Sequence, residues 1–159
     1  MTRGMMAPWM MLARFGNLYS PPPCTGIFAD VACESTPNAD FIEALYNEGI
    51  TAGCGTDPLR YCPDAPVTRG EMSVFILKAS IDPEYRPPAC TGIFNDVACP
   101  SMFGNWIEDL FNRQITAGCG GGNFCPDQAT TRAEESVFVG KAWSIPMCTP
   151  VEPDRAAER

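Results

Sequence analysis

Apolar residues return in helical register three times along the chain, each time behind the same polar start. From Thr68 onward, Met72, Phe75, Ile76 and Ala79 fall at i, i+3, i+4 and i+7, the spacing of one helix face. Thr68 and Glu71 form a capping box, in which hydroxyl and carboxylate each satisfy the other residue's backbone N–H. Thr131 and Glu134 repeat the box, and Val137, Phe138, Val139 and Ala142 keep most of the face, with Glu135 in the place of Met72. The third instance opens the chain: Met6, Trp9, Met10 and Ala13 follow Thr2 in the same register. There Met5 replaces the capping glutamate and Pro8 lacks an N–H, so this helix is expected to be interrupted and the weakest of the three.

Two further stripes are shorter. Phe41, Ile42, Leu45 and Tyr46 predict a helix over about 38–48, ended by Gly49 in a left-handed conformation. Trp106, Ile107, Leu110 and Phe111 predict one over about 104–113, where Gln114 stands in for that glycine and a less sharply defined end is expected. The stretch CPDAPVTRGEMSVFILKA from Cys62 recurs as CPDQATTRAEESVFVGKA from Cys125, so the chain reads as a repeat protein. Two full units are expected over 24–80 and 90–145, joined by proline-containing linkers at 17–23 and 81–89, with a polar tail at 146–159. Residues 1–16 are expected to be a partial unit, the second helix only, because the interval from Thr2 to Cys24 equals that from Thr68 to Cys90. On this reading the opening segment is a half repeat rather than a signal peptide, and the chain begins mid-repeat with any export signal further upstream.

Composition narrows the function classes. With 45% hydrophobic and 19% charged residues the chain is globular. A net charge of −8 supplies no basic face for nucleic acid, and no apolar run is long enough for a transmembrane helix. The chain has no histidine, which removes Ser-His and Cys-His pairs and any histidine-containing zinc site. Asp30, Asp64, Asp96 and Asp127 recur in both units, as turn and cap residues do; no catalysis and no cofactor are expected. A calcium loop through Asp57 and Asp64, or Asp127, departs from EF-hand spacing. The Gly120-Gly121-Gly122 run lacks the Lys-Ser/Thr ending of a phosphate loop and reads as flexible loop.

Nine cysteines stand in repeating intervals, which points to disulfides in an oxidising compartment rather than to a four-cysteine zinc site. The spacing favours local pairs, Cys24–Cys33, Cys54–Cys62, Cys90–Cys99 and Cys119–Cys125, although three connectivities per unit are open. Cys148 is left over, as a free thiol or an intermolecular partner.

The order Phe-x-Asp-Val (Phe28 to Val31, Phe94 to Val97), a short helix (Phe41 to Leu45, Trp106 to Leu110), Gly-Ile-Thr-x-Gly (Gly49 to Gly53, matched from Ile115 to Gly118 in the second unit), aromatic-x-Pro-Asp (Tyr61 to Asp64, Phe124 to Asp127) and Thr-Arg-x-Glu (Thr68 to Glu71, Thr131 to Glu134) resembles the S-layer homology domain. That family attaches bacterial surface proteins to cell-wall polymers. The resemblance implies a mainly α fold, with tandem helix-loop-helix units packed as a pseudo-threefold bundle around their second helices and the loops stiffened here by disulfides. It implies noncovalent binding of cell-envelope (secondary cell wall) polysaccharide in grooves between units, through Arg69, Arg132 and Arg3 of the Thr-Arg motif, with Trp106 as a stacking candidate. It implies an extracellular, cell-surface location. The alternative is a structural protein of a surface layer or filament, whose units contact other copies or neighbouring surface proteins.

Overall fold

Three helices that begin at the Thr-Arg motif pack against one another, and the remainder of the chain is laid over them. The computed structural model describes residues 1–146; Cys148 and nearly all of the polar tail lie outside the described residues. The elements are α1 (Arg3–Phe15), α2 (Ala39–Asn47), β1 (Gly55–Thr56), β2 (Leu59–Arg60), α3 (Arg69–Ser80), α4 (Gly104–Asn112) and α5 (Arg132–Ala142). The architecture is mainly α, with β1 and β2 forming a small antiparallel pair in register Gly55↔Arg60 and Thr56↔Leu59. Helices α1, α3 and α5 contact one another pairwise; α2 packs on α1 and α4 packs on α3. Met6, Met10, Leu45, Met72, Ile76 and Phe138 belong to one buried cluster. A smaller cluster of Phe94, Val97, Ile107 and Phe124 sits in the second unit.

The residues just ahead of the three helices close a ring of backbone hydrogen bonds. Val67 N–H donates to Met1 O, Thr130 N–H to Val67 O, and the Met1 ammonium to Thr130 O, at 2.8–3.1 Å. Both full capping boxes form, at Thr68/Glu71 and Thr131/Glu134. In α1, Thr2 accepts from Met5 N–H without a glutamate in return.

Helix α1 corrects the expected interruption, because it runs unbroken through Pro8. A proline withholds the N–H that the carbonyl four residues earlier needs, here Gly4 O. Asn38 supplies the missing donor: its Nδ2 reaches Gly4 O at 3.0 Å. Asn38 is the N-cap of α2 and holds a left-handed conformation, φ 62°, which asparagine tolerates better than most residues. The end of α4 is a second correction. Gln114 takes the left-handed conformation itself, φ 61°, and the Ile115 N–H to Leu110 O bond matches the Ile50 N–H to Leu45 O bond at Gly49. The second helix end is therefore as well defined as the first.

Four disulfides join Cys24–Cys33, Cys54–Cys62, Cys90–Cys99 and Cys119–Cys125. Each loop is also pinned by a carboxylate. Asp30 accepts from the N–H groups of Tyr61 and Cys62, and Asp96 from those of Phe124 and Cys125. Buried Glu43 gathers the N–H groups of Thr25, Gly26 and Ile27, and Glu108 those of Thr91, Gly92 and Ile93. Burial alone raises a carboxyl pKa; here the bonds from those N–H groups and the threonine hydroxyl outweigh it and hold both glutamates below the usual range. The linkers are clamps as well as connections: Tyr19 meets Phe41 edge-on, and Tyr85 meets Trp106 in the same way.

Glu135 breaks the pattern of the central helices. It is fully buried in the register of Met6 and Met72, and neither carboxylate oxygen has a hydrogen-bond partner. Burial pushes its pKa up to about 8, against the pull of the Met1 ammonium and Arg132.

Two outcomes follow from these local compensations. Asn38→Gly, which keeps the left-handed backbone, is expected to destabilise the protein by about 1–2 kcal/mol by leaving Gly4 O bare. The same change in a Pro8→Ala background is expected to cost far less, since an alanine there restores the helix bond; equal costs in a denaturant double-mutant cycle would show that the Asn38 bond does not serve this carbonyl. For Glu135, the folded state keeps a proton that the unfolded chain releases between about pH 4.5 and pH 8, so this residue lowers stability as pH rises through that window. Glu135→Met is expected to raise the melting temperature most at pH 8 and least at pH 4.5, read as the difference between variant and parent at each pH.

Candidate functional site

The arginine of each Thr-Arg motif sits at the first turn of its helix, and in the first two motifs it is aimed at the loop of the following unit. Arg3 is buried; its Nε donates to Tyr61 O at 2.9 Å and its Nη1 to Glu71 Oε1 at 3.1 Å. Its guanidinium lies over the Tyr61 and Phe75 rings, 5.0 and 5.3 Å from their centroids. The backbone joins in, with Arg3 N–H on Ala65 O and Gly4 N–H on Pro63 O. Arg69 repeats these contacts one unit later. Its Nε donates to Phe124 O, its Nη1 pairs with Glu134, and its guanidinium lies over Phe124 and Phe138. Arg69 N–H bonds Gln128 O and Gly70 N–H bonds Pro126 O. The glutamate of each capping box thus caps its own helix and receives the arginine of the preceding unit. Burial raises the Glu134 carboxyl, but the Thr131 N–H and hydroxyl and then Arg69 carry it below the usual range.

Beside each buried arginine runs a groove. The first, of about 380 Å³, is lined by Arg3, the Ile50–Gly53 segment, Glu71, Val74 and Phe75 on one side and by Met102, Phe103 and Trp106 on the other. Half-buried Trp106 belongs to α4, so the groove spans two units. The second, of about 360 Å³, is lined by Arg69, Ile115 to Gly118, Ala133, Glu134, Val137, Phe138 and Lys141. Apart from Ala133 and Lys141, these are the repeat equivalents of the first groove's inner wall; the outer wall that α4 provides has no counterpart among the lining residues. Thr51 and Thr116 hold the inner walls in shape, each hydroxyl accepting the N–H of Gly53 or Gly118. Those glycines have φ of 86° and 84°, and a side chain on either would strike the carbonyl of Arg60 or Asn123. Arg69 Nη2 is buried without a partner.

Both grooves therefore combine the edge of a buried guanidinium already paired with a glutamate, a threonine-braced backbone segment and aromatic surface. The structure brings Arg3 and Trp106 into one groove and places Arg69 in the other. Arg132 is exposed and lines neither. The three motif arginines thus stand in different settings: two are committed to the neighbouring loop and the third is exposed. The partners Glu71 and Glu134 were visible in the sequence as caps only, and Glu43 and Glu108 carried no signal beyond their repetition. Among the described residues, carboxylates that approach cysteines close enough to share a cation meet sulfurs already in disulfides. The chain matches no protein-family model and no curated protein.

The different settings of the arginines separate their mutants. Arg69→Ala is expected to cost about 3 kcal/mol in urea unfolding, since it strips a buried ion pair, a carbonyl bond and two ring contacts. Arg132→Ala is expected to stay within about 0.5 kcal/mol of the parent, as for an exposed residue without such contacts. Equal effects would show that the buried dock contributes nothing special to stability.

Proposed function

We propose that this protein is a non-catalytic module that holds an acidic cell-envelope polysaccharide noncovalently, in the groove between the Ile50–Gly53 segment and α4. The observation that carries the reading is the convergence of Arg3 and Trp106 on one groove bounded by two successive units. A sugar ring placed on the half-buried indole buries its apolar face, while the guanidinium edge suits a carboxylate or phosphate substituent. The motif order resembles that of the S-layer homology domain, whose known mode of attachment is of this kind. The ring of bonds through Met1, Val67 and Thr130 and the mutual packing of α1, α3 and α5 support a pseudo-threefold bundle of such units. Four disulfides fit an oxidising environment outside the cell, and no helix among the described residues is long and apolar enough to cross a membrane. A surface address follows from the proposed ligand. With a net charge of −8, attraction to an acidic polymer has to be local to the groove rather than a property of the whole surface.

The test is a titration of tryptophan fluorescence with purified envelope polysaccharide, with a neutral glucan beside it, the Trp106 contribution being the part of the signal lost in Trp106→Ala. Saturable binding of the acidic polymer alone is expected. Trp106→Ala, measured by equilibrium dialysis, is expected to weaken binding about tenfold, equivalent to about 1.4 kcal/mol. Arg132→Ala is expected to leave it unchanged. Absence of binding by the parent, or full binding by Trp106→Ala, would overturn the proposal.

A further inference from the structure

We infer that Thr130 and Glu135 form a proton-operated latch at the start of α5: the helix closes on the bundle with Glu135 neutral, and loss of that proton opens α5 locally and withdraws Glu134 from Arg69. The inference concerns one helix rather than the stability of the whole fold, and it does not depend on ligand binding. The residue before an N-cap and the fourth residue of the helix are the two whose side chains staple a helix start. Met1 and Met6 hold these positions at α1, Val67 and Met72 at α3, and Thr130 and Glu135 at α5. All but Met1 are fully buried, and Met1, Val67 and Thr130 are the residues joined in the hydrogen-bond ring. The third staple therefore puts polar atoms where the other two put apolar ones. Thr130 Oγ1 and both Glu135 carboxylate oxygens have no hydrogen-bond partner. They are three of the five such buried atoms among the described residues, so the unpaired polarity of the fold is concentrated at this one helix start.

A charged carboxylate in this place has little to meet. The Met1 ammonium and Arg132 attract it, but the ammonium is engaged with Thr130 O and Arg132 is exposed. Of the charges on α1 and α3, Arg3 and Glu71 are paired with each other, and Arg69 is paired with Glu134. The Tyr61 phenol is raised by its own burial, drawn down by Arg3 and raised again by Glu71 and Glu135, so it stays neutral and offers no positive charge. Burial outweighs the attractions, and the Glu135 carboxyl is pushed up to about 8 in the closed helix from 4.5 in water. Closing α5 takes up a proton; the closed state is fully favoured below about pH 4.5 and loses ground as pH rises to about 8. Helix α5 is also the one that can open by itself. Its buried residues are Glu135, Phe138, Val139 and Gly140, against eight in α3, and among the described residues no disulfide reaches into it. Opening moves Glu134, Val137 and Phe138, which line the second groove, while α1 and α3 keep their contact with each other.

The experiment is amide hydrogen exchange of the full chain at pH 5, 6 and 7. Each rate in the parent is divided by the rate in Glu135→Gln at the same pH, so that the chemistry of exchange itself cancels. Glu135→Met, which restores the residue of the other two staples, is the second reference and guards against a glutamine variant that unfolds on its own account. Over residues 136–141 of α5 the ratio is expected to rise about tenfold per pH unit. Over residues 73–79 of α3 it is expected to change less than about threefold across the range. Two results would overturn the inference. A ratio in α5 that stays flat against both variants would mean that Glu135 gains no proton when the helix closes. A rise in α3 equal to that in α5 would mean that the bundle opens as one body, with no latch at α5.

Discussion

The structure depends on an arginine being taken into the loop of the next unit. A repeat of this size cannot bury its second helix alone, so stability has to come from what successive units do to one another. The contact that joins them is polar at its centre and apolar around it. A guanidinium is removed from water only because a carboxylate, a carbonyl and two rings receive it together, and removing any one leaves the others poorly compensated. The loop that receives it must therefore be rigid before the arginine arrives. A disulfide, an aspartate bridging two N–H groups and an aromatic side chain fix the same few residues from three directions. The shape of the grooves is a by-product of this arrangement, since their inner walls are the segments that lead into those loops.

This coupling separates the residues that belong to the scaffold from those that keep an exposed surface. Arg3 and Arg69 are placed at the groove edge by their pairing with Glu71 and Glu134 and by the loops that receive them. Trp106 has the freer position. Its ring is held edge-on by Tyr85, and Tyr85 is in turn fixed by Asp109 and Arg113, leaving part of the indole exposed toward the groove.

Much of the fold could be read from the sequence because helix starts and stripes are local signals. Thr68 with Glu71 and Thr131 with Glu134 announce their helices within four residues, and the intervals between cysteines expose the repeat. What could not be read depends on contacts far along the chain. Pro8 is a helix breaker by local rules and is harmless here because Asn38, from the start of a different helix, covers the carbonyl it orphans. Gln114 occupies a conformation that glycine favours because the turn it closes is packed by Ile115 and Leu110. The arginines were found by their motif, but not their burial: nothing in Thr-Arg-x-Glu says whether the guanidinium faces solvent or the loop of a neighbour. Among the described residues, a following loop receives Arg3 and Arg69 but not Arg132.

The disulfides have a consequence for how such a chain would bear load. Each bridge closes a loop of short sequence separation inside a single unit, and among the described residues none ties one unit to another. Under tension between the ends, the bridged loops cannot lengthen, so they subtract from the slack the chain can release. The junctions between units, held by buried arginines and the hydrogen-bond ring, have no covalent backup. Extension would begin by separating whole units at those junctions, each still internally stapled and able to return to its neighbour when the force is removed.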